Sequence, residues 1–191
     1  MNKIFGIVGW SGSGKTDLIC RLINAFKKSN KLVGSIKHTH HKFQIDKEGK
    51  DSFKHISSGS EEVILYNERK YAMISGLLRE KIGFNDILQK FSKNIDLILV
   101  EGLKNLKIKK IEVFRSSLNK ELLCLNDKFI KGIVCDQTTE DIINSGLPYF
   151  KFNDTMEILS AIGSRNFPKF DSISNLRAMY PSKKSEKHAN T

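Results

Sequence analysis

The chain has 191 residues and a net charge of +11, from 32 Lys and Arg against 21 Asp and Glu. That length buries a substantial core in one α/β domain, and it holds no apolar run near the eighteen residues of a membrane span. The excess of lysine fits anions such as nucleic acid, an acidic membrane or phosphorylated small molecules, but the lysines are scattered, with no basic run interleaved with aromatics, which argues against nucleic acid and makes the charge a poor guide to function.

Met1-Asn2-Lys3 leads directly into an apolar run, Ile4 to Val8, with nothing resembling a signal peptide. Cys20, Cys124 and Cys135 show no C-x-x-C spacing and read as small buried hydrophobes of a reducing compartment. The expectation is a cytoplasmic protein.

The run Ile4 to Val8 ends in Gly9-Trp10-Ser11-Gly12-Ser13-Gly14-Lys15-Thr16, which fits G-x-x-x-x-G-K-[ST] at all four fixed positions. Apolar residues then recur at helical spacing, Leu18, Ile19, Leu22, Ile23 and Phe26, predicting a helix from Lys15 to Lys28. Strand, glycine loop and helix follow in the order that phosphate binding requires. Glycines let successive backbone N–H groups face an anion, and the helix adds the positive end of its dipole. Lys15 would reach the terminal phosphates and the Thr16 hydroxyl would ligate Mg²⁺. The predicted fold is α/β, a P-loop NTPase-like three-layer arrangement around a mainly parallel central sheet.

Ser29-Asn30 breaks the helix, and Leu32 to Ile36 reads as a second strand. Lys37-His38-Thr39-His40-His41-Lys42-Phe43 follows, then Asp46 and Gly49-Lys50-Asp51-Ser52. Ligands of an open parallel sheet bind beyond the carboxyl ends of its strands, so this segment belongs on the edge that carries the glycine loop. The histidines are either transition-metal ligands or phosphate and partner contacts. Asp46 and Asp51 are loop carboxylates suited to Mg²⁺, directly or through water.

Glu62 to Tyr66 and Tyr71 to Ser75 are β-type runs around a polar turn, forming either a hairpin or two strands with other partners. Asn85 or Asp86 would cap a short helix carrying Ile87, Leu88 and Phe91. Ile95 to Gly102 is a buried parallel strand that delivers Glu101 to the ligand edge in the Walker B manner, to hold a Mg²⁺-bound water or orient an attacking one. Lys104, just beyond, faces either an anion or solvent. Lys109 to Arg115 alternates, which predicts a strand with one covered and one wetter face. Ile130 to Asp136 is a further strand, and Asp136 is either a base-selecting carboxylate or a helix cap. Leu147 to Phe152 is expected as the final strand and Asp154 to Ile162 as the last helix. Residues 1–163 thus form the nucleotide-binding domain. Residues 164–191 form an extension of fading periodicity whose end, Ser182 to Lys187, is almost devoid of apolar side chains and expected to be mobile.

Together these segments resemble the molybdopterin-guanine dinucleotide biosynthesis protein B family (MobB). Its pattern combines a G-x-S-G-S-G-K-T loop, K-H-x-H-H, D-x-x-G-K-D-S and V-E-G-x-K followed by K-I-E-V. They stand here at Gly9–Thr16, Lys37–His41, Asp46–Ser52, Val100–Lys104 and Lys110–Val113, in the same order. Three positions depart: Asp17 where a second Thr is usual, Lys54 where Arg is expected, and Lys109 where Pro often precedes K-I-E-V. The resemblance implies GTP binding with Mg²⁺, at most slow hydrolysis and a homodimer. It also implies an accessory role beside a MobA-type guanylyltransferase that joins GMP to molybdopterin, with the molybdopterin intermediate held on either protein. The expected nucleotide-binding residues are Gly9, Ser11, Gly12, Ser13, Gly14, Lys15, Thr16, Lys37, His38 and Asp136. The expected metal ligands are Thr16, Asp46 and Glu101, with Glu101 and Lys15 as the catalytic pair. The competing readings are a nickel-type metal-delivery GTPase, weakened by the lack of a Cys pair near the histidines, and a small-molecule P-loop kinase, for which an arginine-rich lid is missing from the sequence.

Overall fold

The computed structural model describes residues 3–39, 43, 45–76, 81–163 and 171–180. His40 and His41 lie outside the described residues. The central sheet is built from β1 (Lys3–Val8), β2 (Val33–Lys37), β5 (Leu97–Glu101), β6 (Lys110–Phe114), β7 (Ile130–Cys135), β8 (Tyr149–Lys151) and β9 (Asp171–Ser172). Its order is β2-β5-β1-β6-β7-β8, all parallel, with β9 antiparallel on β1. The helices are α1 (Lys15–Lys28), α2 (Asp51–Ser57), α3 (Phe84–Gln89), α4 (Glu140–Asn144), α5 (Thr155–Gly163) and α6 (Ile173–Met179). This is the expected mainly parallel α/β sheet flanked by helices.

Alternation along the central strands divides the core into two layers. Phe5, Ile7, Leu97 and Leu99 pack with Leu18 and Leu22 of α1 and Ile158 and Ile162 of α5. Ile4, Ile98 and Val100 face the other way, onto Leu88 of α3, Leu106, Ile108 and Leu176 of α6. Because β1 and β5 carry apolar side chains on both faces, they can only be interior strands. Their carboxyl ends therefore emerge at the middle of one sheet edge.

The structure settles what the sequence left open and corrects several expectations. The runs around residue 68 form an antiparallel hairpin, β3 (Glu62–Asn67) and β4 (Lys70–Ser75), in a separate two-stranded sheet. The helix expected to start at Asn85 or Asp86 is capped by Gly83, whose N–H donates to the Asp86 carboxylate at 2.9 Å. The cap of α4 is Thr139. β8 and α5 are not the last elements, since β9 and α6 follow them.

The largest correction concerns β6, expected to have a wetter face and found buried along its whole length. Lys110 is 1% exposed and Glu112 is fully buried. Each charge finds its partner in the loop before β7. The Lys110 ammonium donates to the Asp127 carboxylate and to the Lys104 carbonyl, while Glu112 accepts the backbone N–H groups of Leu123 at 2.8 Å and Cys124 at 2.9 Å. Buried charges persist only when paired or hydrogen-bonded in this way. The stem of Lys110 also explains Gly6 in the neighbouring strand, where a Cβ would lie 2.5 Å from Lys110 Cγ.

Two of the departures from the family pattern have local partners. Asp17 accepts from Arg21 one helical turn on, at 2.9 Å. The N–H of Lys109 donates to Asp171 at 2.6 Å, a bond that proline has no N–H to make.

Candidate functional site

Strands β1, β2 and β5 end side by side, and their following loops enclose a cleft of about 860 Å³. Its lining includes Gly9, Trp10, Ser11, Gly12, Gly14, Lys15 and Thr16 from the first loop, Lys37 and His38 after β2, and Glu101, Gly102 and Lys104 after β5. Ser13, also expected here, is 1% exposed beneath the loop.

The loop tolerates no side chain at its two ends. Gly9 has φ +150°, and a Cβ there would fall 2.3 Å from the Val113 carbonyl oxygen. Gly14 has φ +99°, and a Cβ would fall 3.0 Å from the Phe152 ring. Gly14 is also the N-cap of α1 and makes no side-chain cap. The first backbone N–H groups of a helix have no partner within it, so α1 presents its donors and its positive dipole end to the cleft.

The functional side chains meet in one cluster. Lys15 reaches back to donate to the Trp10 carbonyl at 2.7 Å. The Thr16 hydroxyl donates to Glu101 Oε1 at 2.9 Å, joining the loop to the end of β5. The Lys37 ammonium lies 3.2 Å from Glu101 Oε1 and 3.3 Å from Thr16 Oγ1. Two hard oxygen donors therefore face a cation already, and this donor set fits Mg²⁺ completed by phosphate and water oxygens. Among the described residues no group of three or more His, Cys, Asp and Glu could hold a metal ion.

The site is short of negative charge. Burial pushes the Lys15 ammonium down from its usual pKa; Lys104 and Lys37 add repulsion, and Glu101 opposes both. Lys104, with its ammonium 3.5 Å from the centre of the Trp10 ring, is likewise pushed down by burial, with Glu112 opposing. An anion placed among these groups would oppose the shift on Lys15.

Besides Ser13, two expected site residues do not line the cleft. Asp46 accepts the N–H of Lys47 through one oxygen, at 2.9 Å, and its other oxygen is shielded without a partner. Asp136 accepts from the N–H and hydroxyl of Ser116 and the N–H of Gln137. Burial opposes its ionisation, but these bonds prevail and hold its carboxyl below the usual value. Trp10, conversely, occupies a variable position of the loop pattern and carried no signal in the sequence.

The family model described as molybdopterin guanine dinucleotide synthesis protein B matches residues 4–136. The chain belongs to this family. This MobB-family chain is 40% identical over 120 residues to the molybdopterin-guanine dinucleotide biosynthesis adapter protein of Haemophilus influenzae, covering 62% of this chain and 67% of that protein. It is 35% identical over 117 residues to the adapter protein of Escherichia coli, covering 60% and 67%. The crystal structure of MobB from Bacillus subtilis aligns with a TM-score of 0.62 over 83% of this chain and 96% of that one, at 22% identity. A MobB homologue from Bacillus stearothermophilus aligns at 0.58 over 82% and 92%, at 20% identity. At such identities these structures establish the shared fold. The matched residues 4–136 contain every side chain of the Lys15, Thr16, Lys37 and Glu101 cluster.

Proposed function

We propose that this chain is a GTP-binding accessory protein of molybdenum cofactor maturation, which assists a guanylyltransferase in attaching GMP to molybdopterin. The observation that carries the reading is the contact of Thr16 with Glu101, 2.9 Å apart, at the foot of a glycine loop whose ends admit no Cβ. The loop N–H groups and the α1 dipole would take the phosphates, Lys15 would neutralise the terminal ones, and Thr16 with Glu101 would hold Mg²⁺. Bound Mg²⁺ supplies charge neutralisation between the phosphate oxygens. The names of the Haemophilus influenzae and Escherichia coli relatives support the adapter role in molybdopterin-guanine dinucleotide biosynthesis.

Hydrolysis is expected to be slow for a local reason. Glu101 Oε1 accepts from Thr16 and pairs with Lys37, so this oxygen is already engaged and is not open to take the proton of an attacking water. The cytoplasm is the compartment that fits such a reading, and no helix among the described residues is long and apolar enough to cross a membrane.

A homodimer fits the hairpin. Ile64 pairs with Met73 and Tyr66 with Tyr71, which places all four on one face. Ile64, Tyr66 and Tyr71 are each more than half exposed there, a patch of the kind that partners cover.

Competition of GTP against ATP on the purified protein tests the guanine preference, and equal affinity would overturn it. Lys15→Ala should abolish triphosphate binding while leaving the unfolding transition in place; retained affinity would put the site elsewhere. Co-purification with the guanylyltransferase tests the accessory role.

A further inference from the structure

The reading above uses Lys15, Lys37, Thr16 and Glu101 and gives no task to Lys104, which lines the same cleft. Lys104 follows a turn made by Gly102 at φ +84° and Leu103 at φ +51°. Positive φ at leucine is costly, and such conformations persist where the surroundings enforce them. Here the enforcement is visible: the Lys104 carbonyl accepts from the buried Lys110 ammonium, which is itself tied to Asp127. A strained turn and a buried ion pair thus fix the backbone of one lysine.

The side chain of that lysine lies over the loop. Its ammonium is 3.5 Å from the centre of the Trp10 ring, within the range of a cation–π contact. The ring is held in turn by its Nε1–H, which donates to the Glu121 carbonyl at 2.8 Å. On the other side of the same residue, the Trp10 carbonyl accepts from Lys15. Lys15 is the group that reaches the terminal phosphates in this type of loop, so Trp10 marks that end of the binding track. Lys104 and Lys15 line the same cleft, which places two ammonium groups around one space.

We propose that Lys104 binds the terminal phosphates of the nucleotide, resting on Trp10 when the site is empty and turning from the ring to the phosphate when it fills. This rests on the nucleotide reading above and adds to it a residue that senses the number of phosphates. Burial already disfavours the charge of the Lys104 ammonium, and a charge-assisted bond to phosphate is stronger than the contact with a ring face.

Trp10 is the single tryptophan of the chain, so tryptophan emission reports on the surroundings of this ring, where Lys120 also lies 5.7 Å from the centre, and the Lys104 variants isolate the contribution of the Lys104 contact. The experiment uses the full chain and measures the affinities of GMP, GDP and GTP by equilibrium dialysis with Mg²⁺, and Trp10 emission alongside. It compares the wild type with Lys104→Met and Lys104→Arg. Lys104→Met should weaken GTP by about tenfold, the loss of one hydrogen bond to a charged group, leave GMP unchanged, and largely remove the GTP-dependent change in Trp10 emission. Lys104→Arg should recover most of the GTP affinity. Equal losses for all three nucleotides would assign Lys104 a structural role and overturn the inference, as would an unchanged GTP affinity in Lys104→Met. If the wild type binds no guanine nucleotide, the site reading itself fails.

Discussion

Strands β5 and β3 are built from almost the same residues, Leu-Ile-Leu-Val-Glu against Glu-Val-Ile-Leu-Tyr-Asn, and they meet opposite environments. All five residues of β5 are buried, whereas only Val63 of β3 is. β5 has a strand on each side and core layers on both faces; among the described residues β3 pairs with one strand, β4, and meets α2. Apolar character was common to both, and the number of neighbours decided burial. The difference teaches that a run such as Val-Ile-Leu is a statement about what a strand can bury, with the topology deciding whether it does.

Four substitutions test that contrast, in falling order of effect. Asp127→Ala leaves the Lys110 ammonium buried without its carboxylate and should cost about 3–5 kcal/mol in urea unfolding; a loss below about 1 kcal/mol, the level of an exposed pair, would mean that water reaches Lys110. Leu99→Ala, in the middle of β5, should cost about 2–5 kcal/mol by the same measurement.

Glu112 gives a smaller, pH-dependent effect. Burial raises the pKa of its carboxyl, against the bonds from Leu123 and Cys124. A raised acid pKa means that the native state holds the proton more tightly than the unfolded one, so stability falls as pH climbs from the ordinary carboxylate range to the raised value. The urea midpoint of the wild type should decline over that window, and Glu112→Gln should lack this part of the slope. Ile64→Ser, on the exposed hairpin, should change the unfolding free energy by less than about 0.5 kcal/mol at concentrations where the protein is monomeric. A cost like that of Leu99→Ala would show that the hairpin is buried in the unfolding species.

The parts of the site that could be read in the sequence are those in which spacing carries the chemistry. Gly9, Gly14, Lys15 and Thr16 are fixed by a pattern whose glycines the geometry demands, and Glu101 ends an apolar run that only an interior strand explains. The burial of Lys110 and Glu112 was illegible because their partners, Asp127, Leu123 and Cys124, belong to another segment, and an alternating pattern says nothing about remote pairing. Asp46 and Asp136 were nominated as carboxylates on loops near strand ends; where a loop carboxylate points is settled by nearby donors, here the N–H groups of Lys47, Ser116 and Gln137. The closing elements β9 and α6 are short, two and seven residues, and a two-residue strand has no periodicity to detect.

That short strand bears on the order in which the molecule can be completed. β9 pairs with Lys3 and Ile4, the start of β1, while β6 occupies the same flank of β1 from Gly6 onward. Asp171 also takes the N–H of Lys109 just before β6, and the Tyr180 hydroxyl accepts that of Lys107. During vectorial synthesis the beginning of the first strand therefore waits for residues about 170 positions later, and this flank of the sheet keeps one seam open until they have been made.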